Sequence, residues 1–156
     1  MKNILGVIFI IFCCFQLVGC NKKNEPEEVK LTDTYWAYEH SISGTLKTWY
    51  YYDVWHFTSE TEAEVIEYST ETTRVHIIAG EDPAKYGQIR TDADKTIVHV
   101  TSFVYPKIST YETCTYHYTG VTEDKNYCNG EFSSSDSFTL TYPKTGINRY
   151  FYRIKK

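Results

Sequence analysis

The stretch SFTLTYPKTGINRYFYRI, residues 137–154, decides the fold class. Phe138, Leu140 and Tyr142 alternate with Ser137, Thr139 and Thr141, the period of two at which successive side chains leave opposite faces of a strand. Pro143-Lys144-Thr145-Gly146 follows as a turn, and residues 148–154 return as a second strand. One face is apolar and the other hydroxylated, the pattern of an antiparallel pair with a single side on a core.

Working outward, the same pattern repeats. Further strands are expected at 35–41, 46–58, 63–68, 74–79, 86–90, 96–104, 108–118 and 127–132, divided by Gly, Pro, Ser and Asp. No stretch keeps apolar residues at the helical period over three turns, so little or no helix is expected. Short strands with hairpin-length links make an antiparallel meander, and closure of the sheet on itself removes its exposed edges. The expected fold is all-β, a small meander β-barrel, favoured over a sandwich. Within residues 46–58, Trp49, Tyr51, Trp55 and Phe57 share one parity but Asp53 falls in their row. A bulge near Asp53 would shift the register and reconcile the two.

The N-terminus reads differently. Lys2 precedes an apolar run at residues 4–15, too short to cross a hydrocarbon core of roughly 30 Å as a helix. Leu17-Val18-Gly19-Cys20 follows and reads as a lipobox. Residues 1–19 are expected to leave as a signal peptide, with Cys20 taking a thioether-linked diacylglycerol and an N-acyl chain such as palmitate. At roughly 0.8 kcal/mol per buried methylene, several chains hold a protein permanently where one holds it reversibly. Residues 20–31 then form the acylated N-terminus and a polar tether, and residues 32–156 the barrel domain.

Loss of residues 1–19 leaves 137 of the 156 residues and removes Lys2 from 16 basic side chains, against 20 acidic ones. That is one domain with one core. Its charge is mildly negative and well mixed, with no basic cluster to hold a phosphate backbone, which excludes nucleic acid as a partner. The 15 Tyr, 8 Phe and 3 Trp suit half-buried pleated surfaces. Of the 5 Cys, Cys13 and Cys14 leave with the signal and Cys20 is consumed by lipid. Cys114 and Cys128 remain in an oxidising compartment, where a disulfide is expected, worth about 3 kcal/mol for a loop of about 15 residues. If the two face each other, residues 118 and 124 close a short hairpin loop through Gly120. The alternative is an unlinked pair on opposite faces.

With these residues in view, the chain resembles the small lipocalin-like lipoproteins common among Bacteroidetes. The likeness rests on the lipobox at Cys20, the acidic tether with Glu25, Glu27 and Glu28, and Tyr35-Trp36 in the first strand. Trp55-His56-Phe57-Thr58-Ser59 and the closing Tyr150-Phe151-Tyr152-Arg153-Ile154 complete it. It implies a meander barrel of about eight to ten strands and an envelope location. Asn21 after the lipidated cysteine, together with the acidic tether, implies the outer membrane and exposure at the cell surface.

Catalysis finds little support in the sequence. His40, His56, His76, His99 and His117 fall on different expected strands and make no metal-binding pair on one element. There is no Gly-x-Ser-x-Gly elbow and no phosphate-binding loop. Glu60, Glu62, Glu64, Glu67 and Glu71 read as a solvated face rather than the paired acids of a glycosidase. No enzyme activity, metal or cofactor is expected. Tyr35, Trp36, Trp49, Tyr51, Trp55 and Phe57 are the candidates to line a cavity for a small hydrophobic molecule or to stack on a glycan; the same rings could simply be the core. The competing reading is an interaction protein, a hydrolase inhibitor or an accessory subunit of an envelope complex, with a filled barrel. The packing of Trp49, Tyr51 and Trp55 separates the two.

Overall fold

The computed structural model describes residues 29–46, 48–70, 81–85 and 87–156. The segment expected as a signal peptide with its lipobox, and the strand expected at 74–79, lie outside the described residues. Nine strands follow one another: β1 (Thr34–Ser43), β2 (Thr48–Phe57), β3 (Glu62–Thr70), β4 (Gln88–Ile89), β5 (Lys95–Val104), β6 (Lys107–Thr115), β7 (Thr122–Ser134), β8 (Ser137–Tyr142) and β9 (Ile147–Ile154). A three-residue 3₁₀ turn, Pro83–Lys85, precedes β4 and is the only helical element among the described residues.

All pairings are antiparallel. The sheet runs β2-β1-β9-β8-β7-β6-β5-β3, and β3 pairs again with β2, so eight strands close into a barrel. β3 divides its outer edge: Glu62–Glu64 pair with β5, while Tyr68 and Ser69 pair with the short β4. Closure leaves β4 as the one added strand, consistent with a lipocalin-like barrel.

The eight barrel strands alternate in direction, with β4 and β5 both running against β3, so the connections fall into two sets. The chain enters at one end, which also carries the turns at 58–61, 105–106 and 135–136; this is the tether end. The opposite end carries the turn after Ser43 and those at 91–94, 116–121 and 143–146.

Two expectations are corrected. No bulge interrupts β2, which keeps continuous register with β1 from Thr48 to Phe57 and with β3 from Tyr50 to Phe57. Asp53 therefore faces inward with Trp49, Tyr51, Trp55 and Phe57. The register shifts lie elsewhere, at Thr101 in β5 and at two places in β7, beside Asn126 and at Ser133.

The expected disulfide does not form either: Cys114 and Cys128 are free thiols, both buried. Cys114 stands opposite Glu123, whereas Cys128 stands opposite Thr110. Four residues of β6 thus separate the two, about 13 Å at the rise of a strand, beyond the reach of a disulfide. The cause is a turn centred two to three residues earlier in the chain than the sequence suggested. Tyr116 N donates to Val121 O at 3.0 Å, and Gly120, at φ 66°, donates to Tyr116 O at 2.9 Å.

Candidate functional site

The barrel interior has two halves. Towards the tether end, Trp36 from β1, Trp55 and Phe57 from β2, Phe132 from β7, Phe138 from β8 and Phe151 from β9 converge with Val98, Ile108 and Leu140. Phe138 and Phe151 stack with centroids 4.7 Å apart, Trp36 meets Phe138 edge-on at 4.9 Å, and Trp55 lies 4.6 Å from Phe151. Such contacts add to area burial worth about 1.5–3 kcal/mol per large apolar side chain.

Val29 and Leu31 close this half from below, Leu31 with no exposed surface. Leu31 is pinned by its own polar atoms. Its carbonyl accepts from Thr34 Oγ1, which in turn accepts from Trp36 Nε1 at 2.8 Å. The Glu60 carboxylate accepts from Leu31 N at 3.3 Å and from Thr32 N at 3.0 Å and Oγ1 at 2.7 Å. Burial pulls the Glu60 carboxyl upward, but these hydrogen bonds together outweigh it and hold it below the usual range.

Towards the open end the interior turns polar. Asp53 from β2 places Oδ1 3.4 Å from His40 Nε2 of β1 and Oδ2 4.0 Å from Arg149 Nη1 of β9. The Arg149 guanidinium lies 4.4 Å from the ring of Tyr142 and 5.2 Å from that of Tyr38. Tyr142 donates to Glu112 Oε1 at 2.9 Å, and Asn126 Nδ2 donates to Oε2 of the same carboxylate at 2.8 Å. His40 is held between two rings, 5.6 Å from Tyr38 and 5.2 Å from Tyr51. Beside it, Arg90 pairs with Glu67 and Asp92 and lies 5.4 Å over Tyr51.

Seven strands, β1 to β3 and β6 to β9, therefore bring charged and polar side chains to ring faces in this half of the barrel. The Asp53 side chain is 15% exposed and that of Arg149 28% exposed, so both are shielded yet reachable. Burial, then the Glu112 carboxylate, pushes the Tyr142 hydroxyl far above the ordinary tyrosine range and keeps it a donor. The same two causes push the Cys128 thiol up to about 11, which leaves it protonated and a poor nucleophile at neutral pH. No group of three His, Cys, Asp or Glu able to hold a metal ion occurs among the described residues.

The six sequence candidates divide. Trp36, Trp55 and Phe57 are core, without surface for a ligand. Tyr35 is on the outer wall, stacked on His56 at 4.1 Å with Lys156 Nζ 3.7 Å from its ring. Trp49 and Tyr51 remain, half-buried on the inward row of β2 nearest the open end. Sequence reasoning missed Tyr38, His40, Asp53, Glu112, Tyr142 and Arg149. The one available signal was Asp53 itself, a charge in an aromatic row.

Besides a hollow of about 380 Å³ beside Tyr35, Asp136 and Arg153, two more lie outside the barrel interior. One of about 730 Å³ dimples the outer wall at Gly130, where Ser109 bonds Asn129 at 2.9 Å and Thr141 bonds Asn148 at 2.8 Å. The other, about 390 Å³, lies at the open end among Asp94, Tyr116, Tyr118, Val121 and Glu123.

Fold and site together define a closed up-and-down barrel with one half filled by its own rings and the other lined by charges and tyrosines. No family model matches the chain, and neither a curated protein nor a solved structure matches it.

Proposed function

We propose that this chain is the barrel of a lipid-anchored outer-membrane protein, carried on Cys20, that binds a polar ligand of the glycan class at its open end. The observation that carries this reading is the half-buried Asp53–Arg149 pair set beside the rings of Tyr38 and Tyr51. A pyranose has apolar C–H patches that stack on such rings and hydroxyls that exchange hydrogen bonds with a carboxylate and a guanidinium. A small hydrophobic ligand is the poorer choice, because protein side chains already occupy the apolar half. Nothing in this arrangement calls for a nucleophile or a cofactor, and the role is binding rather than catalysis.

The test is a glycan-array screen of the detergent-solubilised chain, followed by calorimetry on the hits. Wild-type binding that disappears in Asp53→Asn and Arg149→Met, while both variants stay folded, supports the assignment; a glycan that binds both variants as well as wild type overturns it.

One observation favours a second reading, an interaction protein. Tyr118, 86% exposed beside Val121 on the open-end turn, presents a ring to a protein partner. Binding of an envelope protein that is lost in Tyr118→Ser and kept in Asp53→Asn would favour that reading.

A further inference from the structure

The β5–β6 hairpin ends at the tether end in Phe103-Val104-Tyr105-Pro106-Lys107. Phe103 packs on Phe132 at 5.5 Å and Tyr105 meets the same ring at 5.8 Å, so the core holds the tip in place from behind. Val104 nevertheless stays 74% exposed, and Tyr105 keeps more than a third of its surface open. Exposed Thr101, Ser102 and Lys107 flank them. An apolar residue beside a tyrosine with a lysine next to it is the combination that settles at a lipid–water boundary: the aliphatic chain enters, the phenol bridges, and the ammonium stays with headgroups.

The chain's own route supplies the second argument. Val29 lies in the cluster on which Phe103 packs, so the polypeptide leaves the barrel at the end that bears the tip. Only the segment 21–28 separates Cys20 from Val29, a reach of roughly 30 Å at full extension. Lys30, Lys155 and Lys156 are exposed at this end too.

We propose that the Val104–Tyr105 tip is a bilayer contact: it seats the tether end on the lipid surface that holds the anchor and points the open end away from it. The inference rests on acylation of Cys20. Exposed Leu46 and Tyr118 at the opposite end supply the rival orientation.

The test uses the chain purified from membranes and reconstituted in phosphatidylethanolamine–phosphatidylglycerol vesicles, with Val104→Cys or Tyr118→Cys carrying an environment-sensitive fluorophore. Intact mass reads the state of Cys20. The expected result is severalfold lower access of an aqueous quencher to the label at 104 than at 118, with a blue-shifted emission at 104 that Tyr105→Asp reverses. Equal access at both sites on an acylated chain overturns the docking and leaves the anchor standing, and protection at 118 alone overturns it by inverting the barrel. If the mass shows no acyl groups, the anchor reading fails. The same labels are then read on a copy held by an N-terminal histidine tag on nickel-chelating lipid, where protection at 104 supports the contact and its absence overturns it.

Discussion

Tyr142 donates its phenolic hydrogen to Glu112 across 2.9 Å, linking β8 to β6 through the inside of the barrel. Asn126 occupies the other carboxylate oxygen at 2.8 Å, from a residue at φ 51° beside the β7 register shift. The bulge that turns Asn126 inward thus completes a carboxylate site in the wall.

Tyr142→Phe should cost about 1–3 kcal/mol, since it leaves one oxygen of a buried carboxylate without a donor. The pH dependence has a definite sign. The folded state raises the Tyr142 pKa above its ordinary value near 10, so the stability it confers is fully present below that value and is lost as pH rises beyond it. Denaturant unfolding between neutral pH and strongly alkaline pH should show the gap between wild type and Tyr142→Phe narrowing. A constant gap would exclude the effect.

The two thiols should resist both oxidation and alkylation. Intact mass of the folded chain should show Cys114 and Cys128 reduced, and thiol reagents should modify them only on unfolding. Cys128, its pKa raised to about 11 from 9.0, contributes stability below the lower value that fades as pH climbs through the interval. A mass lower by two hydrogens in the native protein would restore the disulfide.

Asp53→Asn keeps the shape of the β2 side chain and removes the charge facing His40 and Arg149. For a pair exposed to this degree the expected cost is about 1–2 kcal/mol, with any glycan affinity falling at least about tenfold, the loss of one charge-assisted hydrogen bond. Thermal unfolding and calorimetry on one sample separate the two effects.

Leu31→Ala should cost about 2–5 kcal/mol, the range for emptying a buried leucine site. Glu60→Gln should act on the same plug through pH. Because the folded state lowers the Glu60 pKa, its contribution is present above the ordinary value near 4.5 and is lost as pH falls through the folded one. Acid unfolding of Glu60→Gln should therefore be shallower than that of wild type.

Gly130→Ala should destabilise by about 1–3 kcal/mol, the usual range for overpacking. A Cβ there would meet Leu140 Cδ2 at 2.5 Å and the Thr139 carbonyl at 2.6 Å. Gly130→Ala with Leu140→Val should recover part of that loss, and chemical denaturation of both variants checks it.

The strands were legible because period-two alternation is a local signal: Phe138, Leu140 and Tyr142 declare their face without reference to the rest of the chain. The separation of Cys114 from Cys128 was not, since it depends on where the chain turns between β6 and β7 and on the extra residue at Asn126, and neither leaves a mark in alternation. The polar half of the interior was hidden for a similar reason. Asp53 looked like a fault in an aromatic row because its partners, His40 and Arg149, arrive from two other strands. Arg149 in turn reads as an ordinary surface residue of β9 until its pairing opposite Leu140 sets it on the inward face, over Tyr142. Trp55 and Phe57 were legible as apolar, but whether such rings fill a core or greet a ligand depends on barrel geometry that no single strand carries.

Leu31 has a mechanical consequence. A pull on the N-terminal chain reaches the barrel through Leu31, its bonds to Glu60 and Thr34, and then β1. β1 is no edge: it is bonded to β2 along its whole length and to β9 at Tyr35–Ala37. Tension along its axis loads those bonds together, in shear, instead of opening them one at a time as peeling would. An anchor at the N-terminus would thus pull on a strand held on both sides, and force along it would load the plug and the sheet together.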